Sequence, residues 1–300
     1  MTLAATKTSA STATILLLVP PPLFWAGNFI VGRAMHDAVP PLALSFWRWA
    51  IAFAVLLPFA LPAMRRDLAL YWQNRWMLAG AAFTGVFAFN TLIYLGLQTT
   101  TASNAVLLNS FIPILVVLLG AVFFGQGIGR MQVVGLLVSL FGVLHIALHG
   151  EWARLASLSF ARGDVIVFCA MVSWAFYTHC LRRIPGEIDR IGLMGAQMVL
   201  AFIILVPSYL WELGTGASIA WSAETVSALA YLGVFPSVIA YVLYNLSVAR
   251  LGASVAGQSI HLIPVFGVLL AVVFLGEQMH AYHALGIAAI ACGLGCAFKP

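Results

Sequence analysis

The sequence predicts an all-α integral membrane protein of ten transmembrane helices, arranged as two inverted five-helix repeats. Three observations predict it: a composition that no soluble fold tolerates, ten apolar runs of bilayer-spanning length, and a collinear internal repeat. Hydrophobic residues make up 63% of the 300 and charged residues 8%, against roughly 25% charged in a soluble domain. A soluble fold so poor in charge would aggregate. In lipid the outer surface is apolar as well, so the problem disappears.

The formal net charge is +5. Its basic residues sit in short loops between apolar runs, where they act as topology signals. No clustered basic face with interleaved aromatics is present, so nucleic acid is excluded as a partner. Cys169, Cys180, Cys292 and Cys296 all fall inside apolar runs. They read as small buried hydrophobes rather than as a disulfide framework or a metal site.

A run of about 20 apolar residues crosses a bilayer core. Such runs fall at 13–33, 42–62, 76–97, 103–124, 131–149, 163–181, 191–211, 225–248, 253–275 and 282–298. The first follows Lys7 and a tail, residues 1–12. Pro20, Pro21 and Pro22 interrupt it, no small-residue cleavage site follows, and apolar character continues to Val31. It therefore reads as a helix and not as a signal peptide. The first five runs form one unit over 13–149, a linker covers 150–162, and the last five runs form a second unit over 163–298.

With the N-terminus inside, the inner segments hold Lys7, Arg65, Arg66, Arg75, Arg130, Arg182, Arg183, Arg190, Arg250 and Lys299. The outer loops hold Arg33, Arg154 and Arg162. This positive-inside bias predicts that both termini are cytoplasmic.

The two halves align at an offset of about 150 residues. Trp25-Ala26 matches Trp174-Ala175, and Pro58 matches Pro207. Tyr94 matches Tyr244, Ile112-Pro113 matches Ile263-Pro264, and Gly135 and Gly142 match Gly286 and Gly293. Each half holds an odd number of spans, so the second enters from the opposite side. Inverted repeats of this kind place a substrate site near the midplane, between the repeats.

Several residues are candidates to line such a cavity. Pro113 and Pro264 each break a helix, release a carbonyl one turn earlier, and are expected to kink or gate. Asn109, Ser110, Ser259 and His261 stand just before them. Asn90 with Tyr94, and Tyr241 with Tyr244 and Asn245, share helix faces by their spacing. Trp25 with Asn28, and Trp174 with Tyr177, occupy matching places in the repeat. Trp47, Trp49, Trp72, Trp76, Trp211 and Trp221 suit an interfacial belt. Arg48 stands opposite Gln197 in the repeat, and is expected to fill a polar structural slot by snorkelling outward or pairing with a carbonyl. The small residues Gly135, Ser139, Gly142, Gly286, Ala289 and Gly293 allow close helix packing, within one chain or across a dimer.

The stretch Tyr94 to Gln126, YLGLQTTTASNAVLLNSFIPILVVLLGAVFFGQ, and its partner Tyr244 to Glu277, YNLSVARLGASVAGQSIHLIPVFGVLLAVVFLGE, are each followed by a Gly-rich helix. This pattern resembles the EamA-type repeat of the drug/metabolite transporter superfamily, and the resemblance covers both halves. Where the family often places a glutamate at the end of the fourth span, this chain has Gln126; Glu277 fits the pattern in the ninth. A symmetric role for two carboxylates therefore does not carry over.

Among ten-helix members, the resemblance extends to the YddG-like amino-acid exporters. It implies a secondary transporter that exports aromatic or neutral amino acids, or similar small metabolites, by alternating access in a bacterial inner (plasma) membrane. The alternative is a broad exporter of hydrophobic or cationic drugs, against which the absence of a midspan carboxylate counts. No HExxH, no paired intramembrane aspartates and no Ser/His or Cys/His arrangement on adjacent turns point to an enzyme. The expected partners are a small-molecule substrate and the bilayer, with no cofactor and no metal. The expected state is a monomer or weak homodimer.

Overall fold

The computed structural model describes residues 17–153, 161–275 and 278–297. The ten predicted runs form α1 (Pro20–Ala34), α2 (Pro41–Arg66), α3 (Arg75–Gly96), α4 (Ala102–Asn109 continued by Ile112–Phe124) and α5 (Arg130–Ala147). They continue as α6 (Arg162–Arg183), α7 (Arg190–Gly214), α8 (Ala223–Leu251), α9 (Ala253–Gln258 continued by Leu262–Leu275) and α10 (Ala281–Ala297). A short helix, Leu68–Gln73, joins α2 to α3. Eight of these helices are long and apolar enough to cross a membrane. Lys7, Arg154, Glu277 and Lys299, named above, lie outside the described residues.

The surface has the polarity expected in lipid. Phe59 is 70% exposed and Val273 72%, whereas Asn90 and Asn245 are buried. Polar side chains gather inside because hydrocarbon offers them no partner. Trp72, Trp76, Trp211 and Trp221 are exposed, as a belt requires. Trp49 is not: it is fully buried, edge-on to Tyr241 at 5.0 Å. Sequence position near a span end predicted a belt residue. The direction its helix face takes made it core.

The three prolines of the first run do not interrupt α1. They form its first turn, where the missing N–H is no loss. The prolines of α4 and α9 do interrupt. Before Pro113 the backbone tightens, with Ser110 and Phe111 donating to Leu107 and Leu108 carbonyls. Before Pro264 a single 3₁₀ turn, Ser259–His261, does the same.

Two π-helical segments fall at matching places in the repeat, Ala82–Ala88 in α3 and Gly233–Ile239 in α8. In α8 the cause is local, because Pro236 cannot donate within the helix. The α3 segment has no proline. There Gly85 lies against the Tyr177 ring, so close that an added Cβ would stand 2.3 Å from it.

Helices α5 and α10 pack through their small residues. A Cβ on Gly142 would meet the Gly286 carbonyl at 2.5 Å, and one on Gly293 the Gly135 carbonyl at 2.5 Å. The small-residue stripe is thus used within the chain.

The antiparallel pair α2 and α7 is fastened at both ends. Glu212, at the end of α7, accepts from the Leu42 and Ala43 amides at 3.0 and 2.6 Å, capping α2 from outside. At the other end Asp67 accepts from the Asp189 amide at 3.0 Å, and Asp189 caps α7 through the Ile191 and Gly192 amides. The Arg66 guanidinium, 2.7 Å from Asp67, holds that carboxyl below its ordinary value of 3.8.

Candidate functional site

Aromatic side chains from both halves meet where α1, α3, α6 and α8 converge. The Trp25 and Trp174 rings stand edge-on with centroids 5.0 Å apart. Tyr244 lies 5.4 Å from Trp25, and Tyr241 lies 5.3 Å from Trp174. These rings separate two polar groups that occupy equivalent places in the repeat.

The first group centres on Arg48, which is 1% exposed. It neither snorkels outward nor relies on a carbonyl alone. Its Nε donates to Ser237 Oγ at 2.5 Å, and its Nη1 to Asn28 Oδ1 at 2.7 Å and Tyr94 OH at 2.8 Å. Its Nη2 donates to the Pro236 carbonyl at 3.3 Å, an oxygen of the α8 π segment. Trp25 Nε1 donates to that same oxygen at 3.0 Å. The π segments thus turn backbone acceptors toward the centre, because a π turn leaves carbonyls out of the regular ladder. In α3 the Gly85 carbonyl likewise accepts from Asn90 Nδ2 at 3.0 Å and from Tyr241 OH at 2.8 Å.

The second group centres on Gln197, the counterpart of Arg48. Tyr177 OH donates to Asn245 Oδ1 at 2.8 Å and faces Gln197 Oε1 at 3.5 Å. Gln197 is fully buried, and its Nε2 has no hydrogen-bond partner among the described residues. Tyr244 OH pairs with Thr178 at 2.9 Å.

The two proline breaks are joined. His261 Nε2 lies 2.9 Å from the Ser110 carbonyl, and Nδ1 2.6 Å from Ser139 Oγ. A carbonyl only accepts, so Nε2 is the ring nitrogen that carries hydrogen. Non-helical backbone at this depth requires such a partner. Ser259 bonds back to the Ala256 carbonyl at 2.7 Å.

A central cavity of about 10 Å³ lies between the Arg48 group, the Trp25 and Trp174 rings and the two proline breaks; no residue of the Gln197 group lines it. That is the room a single water takes, so the site is closed in this conformation. Of the residues singled out from sequence, Trp25, Asn28, Asn90, Asn109 and Trp174 line it. Tyr94, Tyr177, Tyr241, Tyr244 and Asn245 stand behind them in the polar and aromatic shell. Ser110, Ser259 and His261 are buried at the breaks but do not line the cavity, and neither do Pro113 and Pro264. Arg48 does line it. Pairing it with Gln197 argued for a structural slot; the buried cation facing a cavity appears only once the helices are assembled. A wider cleft of about 400 Å³ opens on the exposed surface beside Trp72, Arg75 and Trp76. Its other wall is Ala196, Val199 and Leu200 of α7, so it runs between the two halves at their surface, among the exposed belt tryptophans and away from the central cavity. Among the described residues no cluster of His, Cys, Asp or Glu could hold a metal.

The model of the EamA-like transporter family matches residues 12–148 and again 161–298. The chain belongs to the EamA-like transporter family. It is therefore a multi-pass membrane transporter of two repeats and not an enzyme. Its substrate is a small molecule. This EamA-like transporter is 30% identical, over 84% of its length and 82% of the relative's, to a probable terminal-alkyne amino-acid exporter of Streptantibioticus cattleyicolor. It is 27% identical to the uncharacterized transporter YetK of Bacillus subtilis, covering 89% of this chain and 81% of that one. A probable amino-acid metabolite efflux pump of Escherichia coli is 25% identical, covering 90% and 89%. A crystal structure at 23% identity superposes with a TM-score of 0.74, covering 95% of this chain and 96% of that one, a likeness of fold.

Proposed function

We propose that this transporter exports amino acids, aromatic or neutral, or similar small metabolites by alternating access. The observation that carries the reading is the closed cavity at the repeat interface, walled by Trp25 and Trp174 and edged by Asn28, Asn90 and Asn109. Indole walls suit an apolar side chain. Fixed amides suit the polar end of a small metabolite. The names of the relatives from Streptantibioticus cattleyicolor and Escherichia coli support the same substrate class. A cavity this small binds nothing of amino-acid size until the halves move apart. Rocking of the two repeats, 13–149 and 163–298, about the joined proline breaks of α4 and α9 supplies that motion. Both termini are cytoplasmic, a reading the Lys/Arg asymmetry supports, and the membrane is the bacterial inner membrane, a reading the bacterial transporter relatives support.

Purified protein in proteoliposomes, loaded with single radiolabelled amino acids, tests the reading. The expected result is saturable counterflow for at least one aromatic or neutral amino acid. Absence of saturable flux for every amino acid, with or without a pH gradient, sinks the amino-acid reading.

A further inference from the structure

We propose that Arg48 is the anchor for a carboxylate on the transported molecule. The substrates are then small carboxylates or zwitterions with an apolar remainder, and not organic cations. The inference rests on the export reading above and narrows it.

Four observations lead there. Arg48 is buried, yet no carboxylate lies within ion-pair distance of it among the described residues. Its acceptors, Ser237, Asn28, Tyr94 and the Pro236 carbonyl, are all neutral. They hold the guanidinium in place and leave its charge uncompensated. A buried charge without a counter-ion is costly and calls for a function.

The second observation is the donor count. A guanidinium has five N–H groups in a fixed fork. Nε and Nη1 are fully used by Ser237, Asn28 and Tyr94. Nη2 makes one long bond, 3.3 Å, and keeps an N–H unused. Third, Arg48 lines the central cavity beside Trp25 and Trp174. An entering carboxylate thus meets a preoriented donor and a cation at once, while its apolar remainder meets indole. Charge-assisted bonds of this type are the strong ones.

Fourth, the repeat supplies an internal control. The equivalent place in the second half holds Gln197, also fully buried. The scaffold therefore accepts a neutral amide in this slot. Neutral donors suffice for the slot itself, so the charge at Arg48 goes beyond its structural bonds, and a ligand carboxylate gives that charge a partner.

The test uses the full-length protein in proteoliposomes. A panel of labelled amino acids is competed with their carboxamides, which keep the side chain and ammonium and lack the carboxylate. Wild type is expected to prefer the acid over its carboxamide by about ten-fold or more, as one charged hydrogen bond implies. Arg48→Gln, which copies the residue in the equivalent slot, is expected to erase that preference. Arg48→Lys, which keeps the charge and loses the fork, is expected to keep part of it. Carboxamides competing as well as acids in the wild type overturn the anchor, and that readout needs no variant. Acid preference surviving in a monodisperse Arg48→Gln protein overturns it too, while leaving the export reading intact. Flux of organic amines with none for any acid overturns both.

Discussion

Arg48 and Gln197 occupy one slot twice. Both are fully buried on the second helix of their half, and both face an aromatic and asparagine shell. Yet the first is a cation with donors placed on four neutral acceptors, and the second is an amide with an unpartnered Nε2. The surrounding scaffold is far more alike. Trp25 answers Trp174, Tyr94 answers Tyr244, and a π segment appears in both α3 and α8. Architecture kept its two-fold symmetry and chemistry lost it. An inverted repeat needs symmetry to interconvert its two faces. A molecule with different ends needs a site with different ends. Divergence at one slot meets both demands.

Moving the charge is the most severe way to break this contrast. Gln197→Arg buries a second guanidinium beside Tyr177 and Asn245, which already bond each other. The expected cost is on the order of several kcal/mol, read as loss of a monodisperse peak in detergent. Arg48→Leu removes the hub of the first group. It strips Ser237 and the Pro236 carbonyl of a donor, and a loss of about 1–3 kcal/mol is expected from thermal melting. If Arg48→Leu and Gln197→Leu lower the melting temperature equally, the two slots are not distinct.

The ends of the α2/α7 pair give smaller effects. Glu212→Ala uncaps α2 and is expected to cost about 0.5–2 kcal/mol. At the other end, Asp67 has a carboxyl lowered by Arg66. Its stabilising contribution is complete above the ordinary value of 3.8 and is lost as pH falls through the lowered one. Melting temperature should therefore drop on acidification, and Asp67→Asn should flatten that drop. An unchanged pH profile in this variant removes Asp67 from the fastening. Least of all, Gln197→Leu deletes an amide whose Nε2 is unpaired. Its stability, read from thermal melting, is expected to stay within about 1 kcal/mol of wild type.

Much of this was legible in the residues. The spans could be read because a bilayer demands a minimum apolar length, and α2 to α10 begin and end within a few residues of the predicted runs. The proline breaks of α4 and α9 could be read because a missing N–H is a local property. The small residues of α5 and α10 announced close packing, though only the assembled helices show that each serves the other. Trp49 was misplaced for the opposite reason. Its neighbour on the chain, Trp47, is half-buried and bonds Tyr209 at 3.2 Å, while Trp49 turns inward two residues later. Nothing local tells the two indoles apart.

The sequence by itself determined the class of environment, the ten spans, the repeat and hence the inverted two-repeat plan. Each follows from transfer free energy or from chain geometry, and both are summed along the chain. Only the tertiary structure decided that α3 carries a π segment without a proline, that the Ser110 carbonyl is answered by His261 from the other half, and that Arg48 faces the cavity. Those depend on which residue of one helix meets which residue of another. That choice is made by packing between helices far apart in the chain, as in the 151 residues between Ser110 and His261, where no periodicity along the chain records it.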